Sequence, residues 1–345
     1  VRVHQGPYRS HVFPLSAAPG QHLELEQFGV NLPGTAALSI EIPKDARPGA
    51  VINIDAVRGS NRSAKVVVLS GTQGVEQEPN DTVAQANRVG TPGAVSGRLG
   101  SLGELDAYSF QAKRGRRLIL ETYARRLGSS LDTQLEIWDE QGRPVERARL
   151  RPIAQTQVAF RDHGSLIKGI RLTQWNDFAI NDYVWIGREL MRIQALPKNP
   201  DDDCVFWNVN GERLGFLDTT PEQHPMGQTM YKVEVLPLDA TPPGDVPLIP
   251  LTYRNDDGGG SLGKDSRITF DPPADGVYHV AVSDVRDGVD EPGGYVLAIH
   301  EPRPDFTIEA TPENREIPRG GHATVMISIQ RLDGFAEPVD VRLEG

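Results

Sequence analysis

Short runs in which apolar and polar residues alternate recur along the whole chain, and glycine or proline closes most of them. HLELEQFGV (22–30), AVINIDAV (50–57), AKVVVLS (64–70), RRLILETYA (116–124), TQLEIWDEQG (133–142), GVYHVAVSD (276–284), YVLAIHE (295–301) and ATVMISIQR (323–331) show the pattern or its β-branched variant. Successive side chains of a strand point to opposite faces, so this pattern builds strands with one buried face. The 35 glycines and 27 prolines are spread as punctuation and supply the turns between them. The chain therefore reads as all-β, and only DTVAQANRV (81–89) looks helical, over about two turns.

A chain of 345 residues makes two or three domains. Residues 1–72, punctuated by NLPG, PKDARPGA and RGSNRS, read as an immunoglobulin-like sandwich. Residues 73–148 and 252–302 read as a second sandwich, split by an inserted β subdomain at 149–251 that forms a small barrel or an added sheet. After EPRPDF, residues 303–345 read as the start of a further immunoglobulin-like unit. The first residue is not Met, and the last six, DVRLEG, lie within a strand pattern; the chain reads as a piece of a longer exported protein.

Charge narrows the partners. Lys and Arg number 36 against 47 Asp and Glu, a net charge of -11, and no basic run tracks a phosphate backbone, which argues against nucleic acid. No apolar run reaches the ~18 residues of a spanning helix. The single cysteine, Cys204, excludes an intramolecular disulfide and a thiolate zinc site, and reads as a small buried hydrophobe.

Two stretches carry acidic chemistry. In EQEPNDT (76–82), alternation puts Glu76, Glu78 and Asn80 on one side of an extended segment that Pro79 stiffens, with Asp81 next in line. Such hard oxygen donors suit calcium. Asp81 can equally cap a helix that starts at VAQAN. In RNDDGGGSLGKDS (254–266), Asp256, Asp257 and Asp265 surround three glycines without EF-hand spacing, which makes a second acidic loop or a hairpin loop with polar tips. NPDDDC (199–204) reads as a turn held by side-chain-to-backbone bonds.

Catalytic patterns fail on context. GGSLG (259–263) fits G-x-S-x-G around Ser261, but a nucleophile elbow needs a strand before and a helix after, and here the strand SRITF follows. SLIK (165–168) and SLGK (261–264) lack the helix that S-x-x-K requires. His4, His11, His22, His163, His224, His279, His300 and His322 form no H-E-x-x-H, and His279 reads as a sheet-surface residue. A glycosidase-type carboxylate pair stays open. Trp138, Trp175, Trp185, Trp207 and Tyr183 in or beside the insertion offer a sugar-stacking face or core packing.

The order EQEPNDTVAQAN, VSGRLGSLGELDAYSFQAKRGRRLILETYA, SSLDTQLEIWDEQGRPV, NDDGGG, KDSRITFDPPADGVYHVAVSD and GGYVLAIHE resembles the bacterial pre-peptidase C-terminal domain. The resemblance implies a jelly-roll-like β-sandwich appended to secreted proteases and other exported proteins. It departs from the family at 149–251, where members pass directly to the NDD loop. In collagen-binding members an acidic segment and a later aspartate hold calcium, which by resemblance falls on Glu76, Glu78, Asn80, Asp81 and Asp106, with Glu104 where many members carry Asp. The chain also looks like the large multidomain exported proteins of planctomycete-type bacteria. The expectation is a non-catalytic extracellular, cell-surface or periplasmic module, acting in binding, spacing or folding support, with calcium stiffening the junction between the first two sandwiches. Its partners are other domains of the same exported protein, or an extracellular polymer or protein. A carbohydrate- or matrix-binding module using the insertion and a carboxylate-based hydrolase are the alternatives.

Overall fold

The computed structural model describes residues 7–32, 38–54, 64–101, 103–164, 167, 169–209, 212–213, 223–241, 244, 246–258, 262–285, 293–311, 320 and 324–342. The alternating runs are strands, as at Thr133–Trp138, where every second residue is buried. Two 3-10 turns, Val83–Gln85 and Arg125–Leu127, are the helical elements among the described residues, and none there is long and apolar enough to cross a membrane. Contacts divide the chain into two units, 1–300 and 301–345.

At the centre of the first unit two five-stranded sheets face each other. One runs in the order Arg254–Asn255, Thr133–Trp138, Gly276–Asp284, Leu105–Ala112, Asn87–Arg88. The other runs Arg267–Phe270, Leu118–Tyr123, Gly293–His300, Gly93–Leu99, Thr72–Val75. Their inward side chains, among them Val95, Leu99, Tyr108, Phe110, Leu120, Leu135, Val280 and Leu297, make one continuous core. Phe270 sits edge-on to Phe110, Tyr253 and Tyr278 with centroids 6.1, 4.9 and 5.1 Å away. Edge-to-face contacts of this kind add to the stabilisation from burial alone.

The N-terminal residues form two three-stranded sheets, Tyr8–Phe13 with His22–Val30 and Leu38–Glu41, and Ser16–Ala17 with Ala64–Val68 and Val51–Ile54. Their core of Val12, Phe13, Leu25, Ile42 and Val66–Val68 continues into Ala94, Tyr123, Val296 and Ala298 of the sandwich. Strand Gly93–Leu99 thus serves two cores: Val95 and Leu99 point inward, and Ala94 outward to the N-terminal sheets. Ser96 lies on the outward side too, its Oγ accepting the Leu15 N–H at 2.9 Å. Residues 72–75 pair as a parallel edge strand with Gly93–Leu99. The acidic segment therefore leaves a sheet edge instead of spanning a gap between two sandwiches.

The insertion adds a seven-stranded open sheet, Gly169–Ile170, Cys204–Phe206, Glu189–Ala195, Tyr183–Ile186, Thr229–Leu236, Glu146–Gln157, Ile249–Thr252. It is a sheet and not a closed barrel. Cores lie on both of its faces, around Phe206 and Met230 on one and Leu190 and Leu150 on the other. The chain enters through Glu146–Gln157 and leaves through Ile249–Thr252, which pair with each other, so the sandwich strands flanking the insertion stay in place. In the C-terminal unit Asp305–Thr311 and Met326–Leu332 form an antiparallel hairpin.

DTVAQANRV is not a two-turn helix. Only Val83–Gln85 makes a 3-10 turn, and Asn87–Arg88 pairs with Tyr108–Ser109. Nucleating so short a helix is unfavourable, and ladder bonds to the neighbouring strand offset more. Phe270, on the edge strand Arg267–Phe270, is fully buried among Phe110, Tyr253 and Tyr278. Phe270→Ala is expected to lower stability by about 3–5 kcal/mol in urea unfolding, and a loss under about 1 kcal/mol would show that this aromatic cluster is not central to the core.

Candidate metal centre

Where the chain leaves the edge strand, the Glu76 N–H donates to the Ser96 carbonyl at 3.0 Å, continuing the ladder one residue further. This turns the Glu76 side chain under strand Gly93–Leu99, where Oε2 accepts the Arg98 N–H at 2.9 Å and the side chain is 5% exposed. Four residues on, the Asn80 carbonyl accepts the Ala107 N–H at 2.8 Å, which ties the segment to strand Leu105–Ala112. That strand presents Asp106, fully buried, to the same spot. One carboxylate oxygen each from Glu76, Glu78 and Asp106 lies within 4.8 Å of the others.

Asn80 is also fully buried, and one end of its side-chain amide faces into this group. The inward end of the amide lies 2.9 and 3.3 Å from the two Glu78 oxygens and 3.2 Å from Oδ1 of Asp106. With oxygen inward, acceptor faces acceptor, an arrangement that repels unless a cation sits between them. With nitrogen inward, the amide donates to both carboxylates. Behind the group, the Tyr295 hydroxyl donates to Oδ2 of Asp106 and lies 2.6 Å from the Tyr108 hydroxyl, which in turn is 3.4 Å from Oε2 of Glu76. Gly97 leaves the room for this: a Cβ there would lie 2.5 Å from Tyr295 Cζ and 2.7 Å from Oε2 of Glu76.

The electrostatics are those of acids held close in a poorly solvated place. Burial pushes Glu76 up to about 7, against the Arg98 N–H and with help from the Glu78 charge. Burial pushes Asp106 up to about 8, against the Tyr295 hydroxyl and with help from Glu76, Glu78 and Glu104. Glu78, exposed at the mouth, is also raised, by desolvation first and then by Glu104 and Asp81. The contrast is Glu121, on strand Leu118–Tyr123. Burial would raise it too, but His300, Arg267 and Arg126 outweigh that and hold it at about 2. Glu121 has three cationic partners, whereas around Glu76 and Asp106 the cation is Arg98, 3.7 Å from Glu76, and the other charged neighbours are acids. The ligand atoms of Glu76, Glu78 and Asp106 are all carboxylate oxygens, which suit a hard divalent ion such as calcium over softer metals.

Of the expected ligands, Glu76, Glu78, Asn80 and Asp106 come together. Asp81 is exposed and stands beside the group, close enough for its charge to raise Glu78. It does not cap a helix: the residue ahead of the 3-10 turn is Thr82, and no side chain caps it. Glu104 turns away, its Oε2 accepting the Gly100 and Ser101 N–H groups at 2.7 and 2.5 Å, and so closes its own loop. Tyr108, Tyr295, Gly97 and Arg98 belong to the site and are not signalled by any acidic motif. Their only trace in the sequence is a tyrosine hydroxyl placed at inward positions of DAYSF and GGYVLAIHE.

The second acidic loop divides. Asp265 is fully buried and caps the Arg125–Leu127 turn, accepting the Ala124, Arg125 and Arg126 N–H groups at 2.8, 2.7 and 3.2 Å and pairing with the Arg126 guanidinium at 2.6 Å. Asp256 is buried and pushed up to about 9 by burial, then by Asp257 and Asp132. Lys264 is the nearby cation, 2.7 Å from Asp132. His279 is buried and not on the sheet surface, because the turn at Asp139 folds over it and puts a carbonyl 3.2 Å from Nδ1. Asp202 accepts the Lys198 and Asn199 N–H groups, the turn expected of NPDDDC. Cys204 is buried, and its thiol is pushed up to about 12. Trp175 and Trp185 pack on the insertion's cores, and Trp207 is the exposed tryptophan, with the Arg192 guanidinium over its ring at 5.2 Å. Ser261, Ser165, Lys168, His4 and His322 lie outside the described residues.

No known protein family matches the chain, and no curated protein does. Among solved structures, the copper-binding, surface-associated protein CorA of Methylomicrobium album BG8 matches at 9% identity, over 62% of this chain and 97% of that one, with a TM-score of 0.22. A likeness of that size carries no argument about this chain.

A carboxyl raised in the folded state ionises more readily in the unfolded chain, so its penalty is absent below the unfolded pKa and complete above the folded one. In EDTA, the unfolding midpoint is therefore expected to fall as pH rises from about 5 to about 8, the window set by Glu76 and Asp106. Asp106→Asn should flatten that slope and raise the chelated protein's midpoint at about pH 8. An equal slope in both proteins would mean that Asp106 is ionised throughout. Gly97→Ala should cost about 1–3 kcal/mol by overpacking Tyr295, measured by the same unfolding curves.

Proposed function

We propose that this chain is a non-catalytic module of a larger exported protein, a β-sandwich of pre-peptidase C-terminal type that acts in binding, spacing or folding support and is stabilised by calcium. The observation that carries the reading is the convergence of Glu76, Glu78, Asp106 and the inward amide of Asn80 on one point. Glu76, Glu78, Asn80 and Asp106 would hold the ion, and the ion would supply the charge that these buried acids lack. Two features favour an ion over a hydrolytic carboxylate pair. Asp106 is fully buried against Tyr295, and Glu76 is nearly so, leaving a sugar ring no access to either. Position supports a structural role as well, since the group ties the edge of one sheet to strand Leu105–Ala112 of the other. An extracellular setting fits this reading, because modules there bind calcium with dissociation constants of roughly 0.1–1 mM and meet it at such levels.

An ion that binds only the folded state stabilises it by RT ln(1 + [Ca]/Kd), about 2.7 kcal/mol at a hundredfold excess over Kd. Millimolar calcium is expected to raise the thermal midpoint over the EDTA value. Glu78→Ala and Asp106→Asn should abolish the rise, and Asp81→Ala should only reduce it. A midpoint indifferent to calcium in the unmutated chain would overturn the reading.

A further inference from the structure

Glu76 is gripped from strand Gly93–Leu99, the strand that also carries the N-terminal sheets. Its Oε2 takes the Arg98 N–H, and its Oε1 lies 3.7 Å from Nε of the Arg98 side chain. That guanidinium does not stop at Glu76. It lies over the ring of Phe13, 4.4 Å from the centroid, and over that of Phe28, 5.5 Å away. Phe13 and Phe28 belong to the N-terminal sheets, and Phe28 is itself backed by His11, stacked at 4.6 Å with an interplanar angle of 2°. An unbroken line of contacts therefore runs from a cation ligand through one arginine to the aromatic face of the neighbouring sheets.

We propose that Arg98 is a positioning residue for the cation site, and that the N-terminal sheets set the site's affinity by holding the Arg98 guanidinium against Phe13 and Phe28. The proposal rests on the calcium reading above. The Arg98 side chain is 39% exposed, so without the rings it would sample many rotamers. Cation–π contact with each ring is worth about 0.5–1 kcal/mol at such a site, enough to select one arrangement. With the guanidinium fixed to one side, Glu76 keeps one orientation, with a carboxylate oxygen within 4.8 Å of those of Glu78 and Asp106. Released from the rings, the guanidinium no longer fixes Glu76 in that orientation. Affinity for a divalent ion then falls. Because coupling between two binding events is reciprocal, the ion in turn tightens the N-terminal sheets.

The test is calcium titration calorimetry on the full chain, well below its unfolding midpoint, with hydrogen exchange alongside. Phe28→Ala is expected to weaken calcium binding about 5- to 10-fold, within the usual range of coupled sites. Phe28→Tyr should restore the wild-type affinity, and Arg98→Gln should match the loss. The double variant Phe28→Ala/Arg98→Gln should lose no more than either alone, since both break one line of contact. In the unmutated chain, calcium should slow exchange in Tyr8–Phe13 and His22–Val30, a readout that holds even if Phe28→Ala fails to fold. Unchanged affinity in a folded Phe28→Ala, or calcium protection confined to 76–81 and 105–108, overturns this proposal alone. No calcium binding by the unmutated chain overturns it together with the calcium reading.

Discussion

The rest of the structure depends on the two-faced strand Gly93–Leu99. Strand geometry sends alternate side chains to opposite faces, so one segment of seven residues can close two cores at once. Val95 and Leu99 enter the sandwich, while Ala94 and Ser96 receive the N-terminal sheets. Small residues on the outer side are what let those sheets come close. A one-residue slip would exchange the faces, putting Val95 and Leu99 outside and burying Arg98, so the register is strongly specified. The same alternation places Gly97 over Tyr295 and Glu76 and directs Arg98 outward to Phe13 and Phe28.

Buried charge is handled in two ways within this sandwich. Glu121 is surrounded by Arg126, Arg267, His300 and the Tyr123 hydroxyl, and these partners more than offset its desolvation. Around Glu76 and Asp106 the neighbours are mostly other acids and hydroxyls, which cannot offset it. The two sites show that one fold can bury a carboxylate either among cations or among other acids and hydroxyls. The difference lies in what faces the carboxylate, not in how deeply it is buried.

The sequence made the architecture legible because alternation and turn residues report directly on which residues face inward. The acidic segment stood out because Glu76, Glu78 and Asp81 crowd into six residues. It misled where a residue's role depends on distant chain. Asp265 reads as a loop acid, yet it caps a turn at residues 125–127. His279 reads as exposed, yet the Asp139 turn covers it. DTVAQANRV has a helical composition, but residues 108 and 109 offered Asn87 and Arg88 a strand partner.

By itself, then, the sequence determined the all-β class and the run of strands and turns, because these follow from local periodicity and propensity. Only the tertiary structure decided that Asp106 would meet that segment, that Tyr108 and Tyr295 would close the back of the site, and that Arg98 would reach the N-terminal rings. Tyr295 and Asp106, for one, stand 189 positions apart. Whether such groups meet is settled by sheet order and register, which the packing of the two cores selects as a whole and no single stretch encodes.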